Sequence, residues 1–155
     1  MLTIGPADFA AGDVRALLAL HLSGMQENTP AGHVFALDLS DLRTPDITVW
    51  TVREAGALAG IGALKALGDG TGEVKSMRTH PGHLRKGVAA LLLDHIVGEA
   101  QARGYRRLSL ETGVGDSFDA ALALYRKRGF TGGEAFSDYE PSAFNQFLYL
   151  PLLAA

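Results

Sequence analysis

A chain of 155 residues, 47% apolar and 20% charged, has the size and composition of one globular domain able to bury its own core. Its formal charge of −3 argues against a general nucleic-acid binder, which would spread basic charge over the whole domain. Cysteine is absent, which removes disulfides, thiolate catalysis and Cys-ligated zinc; no signal-peptide pattern or membrane-spanning apolar stretch is present, so a cytoplasmic protein without membrane attachment is expected.

Leu2 to Ile4 reads as a short first strand. From Ala11 to Gln26, the residues Val14, Leu17, Leu18, Leu20, Leu22 and Met25 recur at helical spacing. The run from Asn28 to Gly32 breaks that helix, residues 34–42 are expected to form a shorter one, and Pro45-Asp46 closes the region. Ile47 to Glu54 is dense in β-branched and aromatic residues and reads as a strand. A turn at Ala55-Gly56 leads to a second strand, Leu58 to Leu67. After the turn cluster Gly68 to Gly72, Glu73 to Thr79 is the third strand of an antiparallel meander. His80-Pro81 ends it, because proline removes a ladder donor.

A helix is expected from about Arg85 to Arg103, stopped by Gly104, then a strand from Arg106 to Thr112. A further helix runs from Ser117 to Arg128 and stops at Gly129. Both helices are read as ending in basic residues followed by a glycine. Tyr105 and Phe130 lead into the next strands, and Gln146 to Leu150 is the last. With no repeats or linker, residues 1–155 form a single domain of order β-αα-βββ-α-β-α-ββ. The class is α+β (mixed α/β): a mixed, mostly antiparallel twisted sheet of about six to seven strands flanked by about four helices. The unit from Glu73 to Thr112 should be a right-handed parallel crossover.

One junction makes a chemical request. Glu73 to Ala89 runs from strand through a tight basic loop into the first turn of a helix. Such a junction aims backbone N–H groups, the positive end of a helix dipole and two cationic side chains at one spot. The fitting partner is an anion with several oxygens, a phosphate or pyrophosphate. The loop lacks both the P-loop Gly-Lys-Ser/Thr ending and the dinucleotide Gly-x-Gly-x-x-Gly spacing. His80 and His83 flank Pro-Gly with no carboxylate cluster beside them, so they read as loop histidines and no metal is expected.

The segment Met77-Arg-Thr-His-Pro-Gly-His-Leu-Arg-Lys-Gly-Val-Ala89 resembles the acyl-CoA loop of the GNAT N-acyltransferase superfamily. That pattern is Gln or Arg, two residues, Gly, one residue, then Gly or Ala. Gly87 and Ala89 match its last two fixed positions, and Pro81 sits where a loop proline is common. Ala120 to Phe130 resembles the family's A-x-x-L-Y-x-x-x-G-F block, with Ala121, Leu124, Tyr125, Gly129 and Phe130 in register. The likeness covers essentially the whole chain and implies a GNAT-like fold. Two positions depart from it. Leu84 replaces the first loop Gln/Arg, which moves the expected grip to backbone N–H groups and the charge to Arg85 or Lys86. Phe118 replaces an Asn often found seven residues before the tyrosine.

The resemblance implies transfer of an acetyl group from acetyl-CoA, as co-substrate, to a primary amine of a small molecule or peptide. Leu84, Arg85, Lys86, Gly87, Val88 and Ala89 would hold the pyrophosphate, and the backbone of Met77, Arg78 and Thr79 would pair with the pantetheine arm. Tyr125 would be the general acid toward the CoA sulfur, and Glu73 the general base acting through water. Glu111 is a second carboxylate that would bind the amine or relay its proton. His33, Asp38 and Arg43 lie in the region that covers the acceptor in this family. Met25, Phe35, Trp50 and Phe136 are either core or the lining of an apolar acceptor pocket. Acceptor specificity would also come from the loop Asp138 to Asn145. A different class, a catalytically silent CoA-binding or regulatory module on the same fold, has no need of both Tyr125 and Glu73. The apolar run Phe147 to Leu153 is either a buried strand or part of a homodimer contact.

Overall fold

The computed structural model describes residues 1–28, 42–137 and 139–152. In chain order the elements are β1 (Leu2–Pro6), α1 (Gly12–Asn28), β2 (Ile47–Glu54), β3 (Ala57–Ala66), β4 (Gly72–Thr79), α2 (Val88–Ala102), β5 (Arg107–Gly113), α3 (Asp119–Arg128), β6 (Thr131–Gly133) and β7 (Asn145–Pro151). The seven strands lie in one sheet, in the order β1-β2-β3-β4-β5-β7-β6. All neighbours are antiparallel except β4 and β5, the two ends of the crossover through α2. This is the expected α+β arrangement. Residues 147–151 of the C-terminal run lie in strand β7, between β5 and β6, with Phe147 and Leu148 buried. The helix expected over 34–42 lies outside the described residues apart from Leu42, which is buried.

Each face of the sheet carries its own core. Val52, Leu64, Val74, Leu108, Leu110 and Leu148 pack against Val88, Leu92, Ile96 and Ala100 of α2, together with Tyr125 and Phe130. On the other face, Val14, Leu17 and Leu18 of α1 pack on Val49, Leu58, Ile61 and Ala63. Strand alternation with a period of two assigns successive side chains to these two layers. Helix α2 comes close to β3 because Gly60 and Gly62 have no side chain: a Cβ on Gly60 would lie 2.5 Å from Val88 Cγ1.

Helix α2 starts at Val88, three residues later than expected. Arg85 and Gly87 are left-handed, with φ of 65° and 79°, and neither can extend a right-handed helix. Its last turn holds no basic residue; Arg103 is the cap itself, its Nε donating to Glu99 at 3.1 Å. Helix α3 does finish on Arg126, Lys127 and Arg128, with Gly129 at φ 111° behind them. Residues 117–118, expected to open it, belong to a separate 3-10 turn over 116–118.

Candidate active site

The parallel pairing of β4 with β5 consists of Gly72↔Leu108 and Glu73↔Ser109. Beyond that point the strands part. Residues 75–79 of β4 are paired to β3 on one side and face an open fork on the other. The backbone groups on that edge lack a ladder partner. Since Val74, Leu108 and Leu110 point toward α2, their neighbours Glu73, Lys75, Ser109 and Glu111 point to the opposite face.

On that face Glu73 and Glu111 meet different surroundings. Glu73 is 2% exposed. Lys75 Nζ donates to its Oε2 at 3.0 Å, and the Tyr139 hydroxyl donates to the same oxygen. Lys75 also reaches the Tyr139 hydroxyl and lies 5.2 Å from the centre of its ring. A carboxylate buried this deeply needs such partners to remain in place. Glu111, one alternation further along β5, is half-buried. Burial pushes its pKa up to about 7; the Asn145 amide and the Lys75 charge pull it down, and Glu73 pushes it up. It therefore gains and loses its proton near neutrality. The Tyr139 hydroxyl is held protonated, first by burial and then by Glu73 beside it. Phe136, at 5.1 Å from Tyr139 and 5.8 Å from Phe147 between ring centres, holds this loop against β7.

A bulge in β4 re-aims the rest of the strand. Ser76 has φ 57°, and the β3 register jumps from Ala63↔Lys75 to Ile61↔Arg78. Met77 thereby turns toward α2, its sulfur against Gly62, and Arg78 turns toward α1 with Ile61. The loop after β4 is fixed locally: His80 Nδ1 accepts from Gly82 N at 3.0 Å, and His83 packs edge-on against His80. These two histidines thus serve the loop. Leu84 is 60% exposed, and Lys86 is paired with Glu54 at 3.2 Å. Arg85 is exposed and pairs with no described residue. Gly87 provides no side-chain cap, so no capping side chain takes up the first N–H groups of α2.

Tyr125 lies on the other side of the sheet, 7% exposed among the α2-facing core residues and edge-on to Phe130 at 5.8 Å. Burial pushes its hydroxyl up to about 12, so it carries its proton at neutral pH. Phe118, where the family's Asn is common, is buried with its ring on the Gly113 backbone; a Cβ there would lie 2.3 Å from the ring.

The structure thus gathers Glu73 and Glu111 on one face of the fork and leaves Tyr125 on the other. Trp50 belongs to the α2-facing core and Phe136 to the β7 aromatic cluster, while Arg43 is exposed. His33, Asp38 and Phe35, the side chain of Met25, and Asp138 lie outside the described residues. The sequence does not single out Lys75, and it offers Tyr139 and Asn145 only as members of the loop Asp138 to Asn145, without a place beside the two carboxylates. Lys75 carried a usable signal, two residues from Glu73 on the same strand face. Tyr139 carried none, since only the return of β7 brings its loop back to β4.

Comparison with known proteins agrees with this geometry. The profile of the acetyltransferase (GNAT) family matches residues 14–130. The N-acetyltransferase YedL of Escherichia coli, itself uncharacterized, is 49% identical over 98% of this chain and 96% of its own length. A Klebsiella pneumoniae crystal structure, provisionally named an acyl-CoA N-acyltransferase, is 30% identical and superposes with a TM-score of 0.83 over 99% of both chains. A Bacillus subtilis acetyltransferase solved in complex with CoA shares the fold, with 20% identity and a TM-score of 0.74 over 99% of this chain and 100% of its own. A loop with uncapped helix N–H groups, a forked sheet and paired carboxylates on one face stand together in a chain that belongs to the GNAT acetyltransferase family and is an N-acyltransferase.

Proposed function

We propose that the chain transfers an acetyl group from acetyl-CoA to a primary amine of a small molecule or peptide by direct attack. One observation carries the reading: the fork opens an unpaired β4 edge directly beside a carboxylate whose pKa is about 7. Residues on hand suit acetyl-CoA, which supplies the acyl group as a thioester when bound. The uncapped start of α2 and the unpaired Arg85 suit a pyrophosphate, and the free edge of residues 77–79 suits the amide-rich pantetheine arm. The CoA bound in the Bacillus subtilis relative supports the same cofactor.

In this reading Glu111 takes the proton from the attacking amine, because its pKa matches the working pH. Glu73 acts one step behind it: its carboxylate is closed off by Lys75 and Tyr139, and its charge helps raise Glu111. Tyr125 returns a proton to the departing sulfur. A thermal-shift series tests the ligand. Acetyl-CoA or CoA at a hundred times its dissociation constant should stabilise the fold by about 2.7 kcal/mol, with ATP and NAD doing little. Acetyl-CoA should then release thiol when amines are added. No shift with either CoA compound at saturation would overturn the reading.

A further inference from the structure

The face of β4 that carries Glu73 and Lys75 continues past the bulge to Arg78. The register Ile61↔Arg78 directs this side chain toward α1, because Ile61 packs there among Leu17 and Leu18. The next residue on the buried stripe of α1 is His21. It is 9% exposed, and its Nδ1 is buried without a hydrogen-bond partner among the described residues. Arg78 is half-buried and makes no ion pair or hydrogen bond with a described residue. Arg78 is the charged group whose field reaches the imidazole, while β3 offers the apolar Ile61 and Ala63. Burial and that positive charge lower the His21 pKa to about 4, so the ring is neutral.

A guanidinium and a buried imidazole thus face one another with no acid between them among the described residues. Leaving both unmet is costly, and a carboxylate would answer both: a bidentate pair with Arg78 and a hydrogen bond from the ring. Along β4 this spot is two β3 residues from Lys75, roughly 7 Å at the rise of a strand. Lys75 is a β4 residue whose charge reaches Glu111, so an amine at Glu111 and an anion at Arg78 fit within one small molecule. We propose that the acceptor is an amine that also bears a carboxylate, gripped by Arg78 and His21 while its amine faces Glu111. The amine end rests on the acyl-transfer reading; the carboxylate site does not.

The test titrates the CoA-saturated protein with common α-amino acids, with dipeptides, and with the carboxamide of each, by calorimetry and with the His21 ring followed by NMR. At least one acid should bind about tenfold more tightly than its amide. The bound acid should raise the His21 midpoint from about 4 toward its ordinary 6.5, and the amide should not. Arg78→Gln should bring acid and amide to parity, and Arg78→Lys, which keeps the charge without the fork, should retain part of the preference. Comparing amino acids with dipeptides separates a free amino acid from a peptide terminus as the source. No acid outbinding its amide, a preference that survives Arg78→Gln, or a stationary His21 midpoint would each overturn the site. Acid-selective binding without thiol release from acetyl-CoA would keep the site and overturn the transfer reading. Thiol release at equal rates from acids and amides would do the reverse.

Discussion

Glu73 and Glu111 are the same chemical group one strand apart, and their surroundings give them different work. A carboxylate whose Oε2 accepts from both an ammonium and a phenol has that oxygen committed; one raised to about 7 by burial is free to exchange a proton at working pH. Glu111→Gln should therefore lower kcat/KM by about 10²–10⁴-fold and remove the limb of the pH–rate profile near 7. Tyr125→Phe should lower the rate across the whole profile and leave that limb where it is. A limb near 7 that persists in the Gln variant would return the proton to another group. The sequence shows both carboxylates, because each sits at a readable position on a strand. It does not show which one is occupied, because the occupying phenol, Tyr139, is 66 residues from Glu73 in a loop of irregular backbone.

At the scale of elements, what positions the site is how closely α2 lies on β3. Gly60 permits that approach, flanked by Val88 Cγ1, Leu92 Cδ1 and the Arg78 carbonyl. Gly60→Ala would press on the first residue of α2 with backbone behind it, so little can yield. It should cost about 1–3 kcal/mol and weaken CoA binding by tilting the N–H groups of α2. Gly98, within α2, has open space at its Cβ; Gly98→Ala should stabilise by about 0.5–1 kcal/mol through helix propensity alone. Urea melts of the two variants should move in opposite directions, and equal losses would deny the close approach its role. Most elements were readable because alternation and helical spacing are local signals, as in Ile47 to Glu54 or the stripe Val14, Leu17, Leu18. The late start of α2 and the bulge at Ser76 were not. Both depend on left-handed backbone at Arg85 and Ser76, residue types that carry no preference for it.

Across the whole molecule, the face of the sheet opposite α2 holds two groups whose shifts oppose each other. His21 is lowered from 6.5 to about 4, so between those values the unfolded chain holds a proton that the folded chain refuses. Its contribution to stability is present above 6.5 and is lost as pH falls toward 4. Glu111 is raised from 4.5 to about 7, so in that window the folded chain holds the extra proton. Its contribution is present below 4.5 and is lost as pH rises through 7. Each is worth on the order of 2–3 kcal/mol, with opposite slopes over nearly the same range. The lowered carboxylates Asp13, Asp46 and Asp69 are exposed and Glu54 is at the surface beside Lys86, so they add little until the pH falls below their ordinary values. The wild-type unfolding free energy should therefore stay nearly level between pH 4.5 and 6.5. Glu111→Gln should leave a curve that climbs with pH, and His21→Gln one that falls. Parallel curves for all three proteins would mean that neither group titrates there. Separate slopes would establish that Glu111 and His21, on one face of the sheet, are both held away from their ordinary ionisation by the fold.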